Sequence, residues 1–599
     1  MWNAWKEIRT EMRHATVRDA IDYLDYDIEP DIWIQRLLRH IRAGSYEPHA
    51  PARFFLAKSG GFRRTMTTPA VSDVVLFRAI ANFVHLKARR YQQRHVYYRR
   101  SDLQSATEAA VKAAKNDIKK FAALYRFTSA KGFRNWKDYE QYRKYLILKK
   151  VYRHIVITDI TNFFDSVLHS EVSNAFRNYP IPSRLIGLLF YLLERLAIRA
   201  DYCDSPRIGL PVDEFECSRT IANLVLFAHD KRIVELVGEN AYVRWMDDQV
   251  IGVDSHAQGL RVVAAVSASL AYLYLTANAK KTRVLSLREA KIHFHLGTNA
   301  KLDEMERLIQ SHAKPRRTLV RDLGRVWHSA LRHKNEGEWE KIQKRMYRLA
   351  GLTRGKFLRK HARRDLLKTP TLAERIADYM RCSGSRRAYL KFVKDIFRHK
   401  QQIHEDVELV LVESLLRMEA TGARAKSVAQ LATTIVDEVT EFKRNAVFAA
   451  PACLLILRFG DRRTKQKLRR CFIEKKSIRH PHLIRASAIV YSTYGKREFT
   501  EVRRAAATLL NNPLALMVRT VRKLQQLKQV PDRFKNRLNL RRDSVRGIYY
   551  VDMRTYASAR LLTLNRRGAV RTWIKQWVLA TKRKRISAFD KQLLDDLPV

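Results

Sequence analysis

Two adjacent carboxylates, Asp247 and Asp248, stand between two short apolar runs, and this pattern constrains the fold more than any other part of the chain. Residues 242–245 and residues 249–253 are rich in strand-forming side chains. Such a layout predicts two short strands joined by a tight turn, with both carboxylates at its tip. Asp is also common in ordinary turns, because its side chain hydrogen-bonds nearby backbone. An ordinary hairpin turn therefore stays an alternative unless other residues complete a site.

A carboxylate pair suits a hard cation. Magnesium takes oxygen ligands, usually one or two carboxylates together with substrate phosphates. A polymerase needs two metal ions, one for the attacking hydroxyl and one for the leaving oxygen, so a third carboxylate is expected. Asp159 is the candidate, because residues 155–157 predict a short buried strand that ends at this acid. We interpret Asp165 and Ser166 as the cap of the helix that follows.

The charge balance indicates a polyanionic partner. The 599 residues include 115 Lys and Arg against 60 Asp and Glu, which gives a formal charge of +55. Nucleic acid is favoured over an acidic membrane surface. Five cysteines without zinc or C-x-x-C spacing indicate reduced thiols of a cytoplasmic protein. The first residues lack a signal-peptide layout, and no stretch approaches the roughly 18 apolar residues of a membrane span. We therefore expect a cytoplasmic protein without a membrane partner.

Several short motifs surround the two carboxylate sites in a fixed order. They are Lys58…Gly61…Arg64…Pro69…Asp73, Asp159-Ile160-x-x-Phe163-Phe164-Asp165, Gly209-Leu210-Pro211…Ser218…Ala222-Asn223, Trp245-Met246-Asp247-Asp248, Asn278-x-x-Lys281-Thr282 and Phe294…Leu296-Gly297. In this order they resemble the fingers, catalytic and template-side motifs of the reverse transcriptase family. The resemblance covers about residues 44–300 and points to the bacterial group that contains group II intron, retron and defence-associated enzymes.

Three departures from the family pattern stand out. Trp245 occupies the position of the usual Tyr, Asp213 stands near the usual Gly, and Ser218 comes one residue late. An acidic side chain in place of Gly restricts the backbone and adds charge. The departures bear on template handling rather than on metal chemistry.

The resemblance implies a role for each catalytic residue. Asp159, Asp247 and Asp248 would hold two Mg²⁺ ions, with Mn²⁺ as a substitute and the carbonyl of Ile160 as a backbone ligand. The ions would activate a 3′-hydroxyl and stabilise the leaving pyrophosphate. Lys281 would protonate or neutralise the pyrophosphate. A solvated charge is the alternative for Lys281.

The resemblance also implies a nucleotide site. Lys58, Arg63 and Arg64 on a predicted hairpin would bind the dNTP triphosphate, although exposed hairpins often carry such residues for solubility. Phe164 matches the position of the steric gate that excludes a ribose 2′-hydroxyl. Its alternative is a core aromatic beside Phe163.

The expected fold class is an α+β right-hand polymerase core of palm and fingers, followed by a large all-α domain in which helical repeats are an open alternative. The core spans 1–300, with N-terminal helices in 1–50 and a basic insertion at 102–150. A basic helical segment that resembles a thumb spans 301–370, and the all-α C-terminal domain spans 371–599.

Nucleic acid is expected to contact the start of the thumb-like segment. Residues 314–364 hold 17 Lys and Arg against four acids. Such a basic excess predicts phosphate contacts, and subunit contacts are the alternative. The residues predicted to bind nucleic acid are Pro211, Arg316, Arg317, Arg321 and Arg325.

Together these features predict a magnesium-dependent, RNA-directed DNA polymerase that uses dNTPs. Its partners would be an RNA template and the DNA product, with a dedicated non-coding RNA and a homo-oligomer left open. The long helical extension resembles that of abortive-infection reverse transcriptases and suggests bacterial antiviral defence. The alternatives are a group II intron maturase, template-independent or protein-primed DNA synthesis, and a non-catalytic nucleic-acid-binding scaffold.

Overall fold

The computed structural model describes residues 1–599 except 13–14, 18, 20, 22, 59–61, 99–133, 150, 197–206, 213–214, 399–403, 475–480, 492, 494–499, 502–503, 505–512, 543–547 and 566. Most of the predicted insertion at 102–150 and Asp213 lie outside the described residues. The chain forms two compact units. The first comprises Met1–Glu11, His40–Arg53 and Met66–Phe294, and the second comprises Met12–Arg39, Phe54–Thr65 and His295–Val599. The expected core at 1–300 differs from this division, because two N-terminal segments belong to the second unit.

The strands of the described residues are short. They are β1 (Ala52–Ala57), β2 (Arg63–Thr68), β3 (Val96–Tyr97), β4 (His154–Thr158), β5 (Tyr242–Trp245), β6 (Asp248–Val253), β7 (Arg283–Ser286), β8 (Arg541–Arg542) and β9 (Tyr549–Tyr550). They form three sheets, β1-β2, β3-β5-β6-β4-β7 and β8-β9.

Helices make up most of the remaining described structure. Before His295 they are α1 (Trp2–Met12), α2 (Leu24–Ile28), α3 (Pro30–Arg42), α4 (Val71–Ala88), α5 (Arg134–Leu148), α6 (Phe163–Ser166), α7 (His169–Arg177), α8 (Ser183–Leu196), α9 (Cys217–Val237), α10 (His256–Ala271) and α11 (Leu287–His293). After it they are α12 (Leu296–Ser311), α13 (Arg316–Ala330), α14 (Trp339–Leu352), α15 (Arg359–Lys368), α16 (Ala373–Ser383), α17 (Arg386–Arg398), α18 (Glu405–Leu415), α19 (Gly422–Thr440), α20 (Ala449–Phe459), α21 (Arg462–Glu474), α22 (Pro481–Tyr491), α23 (Pro513–Gln526), α24 (Asp532–Lys535), α25 (Met553–Leu562), α26 (Gly568–Arg583) and α27 (Ala588–Asp595).

The five-stranded sheet is the centre of the first unit. Strand β4 pairs antiparallel with β6 and β7, and β5 pairs antiparallel with β6. The sheet is antiparallel except at β3, a parallel neighbour of β5 that was not predicted from the sequence. Ile155 and Val156 are fully buried in β4, as expected for a strand covered on both faces.

Helices α9 and α10 cover one face of this sheet. A Cβ atom at Gly259 in α10 would lie 2.5 Å from Val284 Cγ1 in β7, so only Gly permits this close approach. Helix α5 packs against β5. There the Trp136 ring meets the Trp245 ring edge-on, with centroids 4.9 Å apart. Trp245 is thus an anchor between strand and helix, which suits its large apolar surface.

Helical packing dominates the second unit. Val407, Leu411 and Leu415 in α18 follow a spacing of four residues and are fully buried. The segment Met12–Arg39 joins this unit through Arg485, which donates to Asp19 Oδ2 at 2.7 Å and to Asp25 Oδ1 at 2.9 Å. The large helical region agrees with the prediction.

Three sequence expectations are wrong in detail. The region 371–599 is not entirely α-helical, because β8 and β9 pair there. Asp165 lies inside α6, and the N-cap of α7 is Leu168. The alternation of His293 and His295 with apolar residues predicts strand side chains, but His293 ends α11 and His295 precedes α12. In none of the described ranges is a helix both long and apolar enough to cross a membrane.

Candidate active site

The hairpin of β5 and β6 presents the two adjacent carboxylates as predicted. Trp245 pairs with Asp248, so Met246 and Asp247 form the connection. Met246 has a φ of 56°. A left-handed residue at this position matches the twist of a tight hairpin, although it is costly for a residue other than Gly, Asn or Asp. A supporting contact is therefore expected at this turn.

Arg244 provides that contact from beneath the turn. Its side chain is fully buried, and its Nη1 donates to the Met246 carbonyl oxygen at 2.7 Å. Nε donates to Asp230 Oδ1 at 2.6 Å, and Nη2 donates to Oδ2 of the same carboxylate. Burial disfavours the guanidinium charge, but the Asp230 carboxylate outweighs this effect and raises the pKa of Arg244. The Arg244 guanidinium thus connects Asp230 on α9 with the backbone of the turn that carries the two carboxylates.

Asp159 stands beside the hairpin. Thr158 pairs with Gln249 across β4 and β6. Asp159 directly follows Thr158 and Asp248 directly precedes Gln249, so the two acids flank the last pair of this ladder. The charges of Asp159, Asp248 and Asp247 all act on the Lys281 side chain. The two predicted acidic positions therefore meet at one sheet edge, from segments far apart in the sequence.

The segment Asn278–Thr282 wraps around Asp159. Lys281 Nζ lies 2.9 Å from Asp159 Oδ2, and the Asn278 side-chain amide donates to the same oxygen at 3.2 Å. The Asn278 backbone N–H donates to the Asp159 carbonyl at 2.7 Å. Burial lowers the pKa of Lys281, but the hydrogen bond and charge of Asp159, helped by Asp248 and Asp247, raise it overall. Lys281 is therefore a protonated partner of the carboxylates.

The donor types at this edge suit magnesium, because carboxylate and carbonyl oxygens are hard ligands. Ile160 forms an isolated antiparallel bridge with Ala277. The two hydrogen bonds of this bridge come from the neighbouring residues: Thr161 N–H donates to the Thr276 carbonyl, and Asn278 N–H donates to the Asp159 carbonyl. The predicted role of the Ile160 carbonyl as a metal ligand stays a prediction. Within the described ranges, however, no three His, Cys, Asp or Glu side chains stand in a metal-binding arrangement. In this arrangement Lys281 contacts Oδ2 of Asp159, one of the two carboxylate oxygens that could bind an ion.

The loop at Gly209 packs against the helix that follows Asp159. Leu210 N–H donates to the Phe164 carbonyl and Gly209 N–H donates to the Val167 carbonyl, both at 2.8 Å. Gly209 has a φ of 89°, and a Cβ there would lie 3.4 Å from the Asp165 carbonyl oxygen. Both features favour Gly.

Pro211 lies in the same loop. Its ring is buried, and its carbonyl accepts a hydrogen bond from Ser218 Oγ at 2.6 Å. The structure therefore gives Pro211 a place in shaping the loop. Its predicted contact with nucleic acid stays a prediction.

The two neighbouring aromatics have different surroundings. Phe163 is 3% exposed and belongs to the core, whereas Phe164 is only half-buried. Their rings are tilted, with centroids 5.6 Å apart. Phe164 is thus more exposed than its core neighbour Phe163, and its role as a steric gate stays a prediction.

The three basic residues predicted for the triphosphate lie on the β1–β2 hairpin. Lys58, Arg63 and Arg64 are exposed, and the Arg63 guanidinium stacks 5.8 Å from the Phe55 ring centroid. They belong to the second unit, whereas the carboxylates belong to the first. Their role stays a prediction.

The four predicted phosphate contacts lie on α13 and differ in their bonding. Arg316 Nε donates to the Thr353 carbonyl at the end of α14, at 2.6 Å. Arg317, Arg321 and Arg325 are exposed, and the last two lie 3.8 and 3.6 Å from Asp322. Arg316 thus has a structural contact that the sequence analysis did not predict.

The buried pair of Arg244 and Asp230 was not predicted from the sequence. Each of these charged residues interrupts an otherwise apolar strand or helix. Such a position indicates a buried charge with a partner, because charged residues are rarely buried unless paired. The partner of each could not be identified from the sequence.

Comparison with known proteins bears on this geometry. No curated protein matches the chain. A family model does match, and the matched stretch contains the three carboxylates and Lys281, whereas the β1–β2 hairpin lies before it. Residues 94–300 match the model described as Reverse transcriptase (RNA-dependent DNA polymerase), and this part of the chain is therefore similar to the palm and fingers of a reverse transcriptase domain.

Proposed function

We propose that this chain is a magnesium-dependent, RNA-directed DNA polymerase that joins dNTPs to a DNA 3′ end. The observation that carries the proposal is that Asp159 and Asp248 flank the last pair of the β4–β6 ladder, with the charges of both acting on Lys281. The family match supports polymerase chemistry of this type, with an RNA template and dNTP substrates.

Asp159, Asp247, Asp248 and the Ile160 carbonyl would hold two Mg²⁺ ions. When bound, the ions would supply activation of the 3′-hydroxyl and charge neutralisation at the pyrophosphate. Binding an ion through Asp159 Oδ2 would require this oxygen to exchange its contact with Lys281. The Lys281 ammonium would then donate its proton from Nζ to an oxygen of the pyrophosphate leaving group.

Phe164 would select the sugar. Its half-buried ring lies on α6, which starts four residues after Asp159. An aromatic ring beside the 2′ carbon leaves no room for a hydroxyl, so rejection is steric. Lys58, Arg63 and Arg64 would bind the triphosphate by charge-assisted hydrogen bonds.

The biological setting that we propose is antiviral defence in a bacterium. It rests on the long helical region after the polymerase part, by analogy of architecture. A maturase would instead bind one structured intron tightly. A protein-primed enzyme would carry DNA covalently attached, and sequencing the nucleic acid that copurifies with the chain separates these cases.

The test is incorporation of labelled dNTPs by the purified full chain on an RNA template with a DNA primer. We expect Mg²⁺-dependent product, weaker or altered product with Mn²⁺, and none after Asp247→Asn with Asp248→Asn. Asp254→Asn is the matched control, because Asp254 directly follows β6 but is exposed and lies away from the tip. A wild-type chain that binds RNA yet incorporates nothing with either metal would favour the scaffold alternative.

A further inference from the structure

A large cleft in the second unit has a strongly basic lining. Its volume is about 1180 Å³. Basic side chains reach it from the loop before α13, the end of α14, the starts of α17 and α19, and the loop before α27. The basic side chains that line these parts of the cleft are Lys314, Arg354, Arg386, Arg387, Arg424 and Arg585. Among its described lining residues, Glu419 is the single carboxylate.

Part of this charge is already neutralised within the protein. Arg386 forms an ion pair with Glu419. Arg316, also in the lining, donates to the Thr353 carbonyl. Arg354, Arg387, Arg424 and Arg585 are exposed and concentrate positive charge around one concavity. Like charges in a concave site repel one another and raise the local concentration of anions, which favours an anionic ligand.

The floor of the cleft is apolar. Leu319 and Ile586 are buried there, and the ring of Phe589 is half-buried. The Arg381 guanidinium lies 5.6 Å from the Phe589 ring centroid. A free phosphate would use only the charges. A single strand of nucleic acid uses both features, because its phosphates contact the cations and its unstacked bases contact apolar and aromatic side chains.

We propose that this cleft binds a short single-stranded segment of RNA or DNA. A duplex fits the site less well, because pairing hides the base faces that the floor would contact. The site goes beyond the polymerase proposal, since binding here needs neither the carboxylates nor Lys281. It would hold for a catalytic enzyme and for a scaffold alike.

The test is equilibrium binding by the full chain, without dNTPs, of labelled oligothymidylate and oligouridylate of about 12 nucleotides, a length typical of single-strand binders. The variant is Arg354→Gln, Arg387→Gln and Arg585→Gln together. Loss of three phosphate contacts should weaken binding about tenfold or more and reduce the log–log salt slope by up to about 2. The relative loss for the two probes shows whether the site prefers RNA or DNA.

Two further variants keep the test decisive. Arg462→Gln, Arg463→Gln and Arg470→Gln remove the same charge from exposed positions on α21, outside the cleft lining. They should change affinity much less. The variant with Arg354→Lys, Arg387→Lys and Arg585→Lys together keeps the positive charge of the cleft and should recover most of the binding.

Several outcomes would overturn the proposal. They are equal losses in the cleft and α21 variants, an unchanged affinity in the cleft variant, full competition by a mononucleotide or acidic peptide at the probe concentration, and equal loss of duplex binding. A well-folded Gln variant is recognised by an unchanged thermal melting curve. An inactive polymerase that still shows the cleft effect would reject the proposed function and leave this inference standing.

Discussion

Arg244 Nη1 lies 2.7 Å from the carbonyl oxygen of Met246, the residue directly before the two adjacent carboxylates. The same guanidinium binds both oxygens of Asp230. A buried ion pair is weak evidence for stability in itself, because desolvation offsets its attraction. Here the pair acts by holding the backbone in place. It connects helix α9 to a turn whose first residue, Met246, has a left-handed backbone conformation.

Arg244→Lys tests this positioning role. Lys keeps a charge for Asp230 but lacks the planar fork that reaches the carboxylate and the Met246 carbonyl together. We expect kcat to fall by about ten- to a hundredfold, as for a misplaced catalytic group, with KM for dNTP little changed. Arg232→Lys, at an exposed position on α9, is the control. A variant that only lowers the melting temperature at normal kcat would leave Arg244 a purely structural residue.

The contact between Lys281 and Asp159 predicts a competition with metal. Lys281 Nζ lies 2.9 Å from Oδ2 of Asp159, a carboxylate of the proposed metal site. Lys281→Met should therefore tighten binding of Mn²⁺ several-fold while lowering the rate of incorporation. Titration calorimetry measures the affinity without turnover. Because the Lys281 side chain is 59% exposed, its loss should cost less than about 1 kcal/mol of folding stability.

The raised pKa of Lys281 fixes the sign of its pH effect. Its ion pair contributes fully below the ordinary lysine pKa of 10.5 and is lost as pH rises through the higher folded value. The tightening by Lys281→Met should thus stay the same across the neutral pH range, because the Lys281 ammonium remains protonated there. Weaker metal binding by the variant would contradict the exchange that we propose.

Short apolar runs were sufficient to predict the hairpin and the strand before Asp159. A short continuous apolar run bounded by turn residues is typical of a strand that is buried on both faces. The sequence did not identify the partners of those elements. Asn278 and Asp159 are 119 residues apart, and no periodicity links them. The family resemblance indicated which motifs belong to one site. The contact between Lys281 and Asp159 is visible only in the folded structure.

Other errors have local causes. His293 and His295 alternate with apolar residues as in a strand, yet Ser286 and Glu289 form a capping box that starts α11 just before them. This capping box favours a helix over these residues, and it outweighs the short alternation that is typical of a strand. Strands β3, β8 and β9 have two residues each, too few for a period to be detected.

Phe164→Val should relax sugar selection. The smaller side chain removes the clash with a 2′-hydroxyl, and differences of this size in a pocket change discrimination by about 10- to 200-fold. The measurement is the ratio of kcat/KM for a dNTP and the matching rNTP. Phe163→Leu is the paired control, because this core ring should affect stability and leave sugar choice unchanged. Unchanged selectivity in Phe164→Val would remove its gate role.

The last prediction concerns the phosphate contacts proposed for α13. Arg317, Arg321 and Arg325 are exposed, whereas Arg316 binds the end of α14. The triple change of the first three to Gln should weaken RNA–DNA duplex binding and reduce the salt slope by about 2 to 3. Base sequence preference should not change, because phosphate contacts position without specifying.

Arg316→Gln alone is the internal comparison for this prediction. It should lower the melting temperature, because it leaves the Thr353 carbonyl without this donor, and it should reduce the salt slope by less than the triple change does. If instead the triple variant keeps the wild-type salt slope but sediments with a different mass, the three arginines join subunits. In that case the basic face of α13 is an interface between copies of the chain, and nucleic acid binds elsewhere.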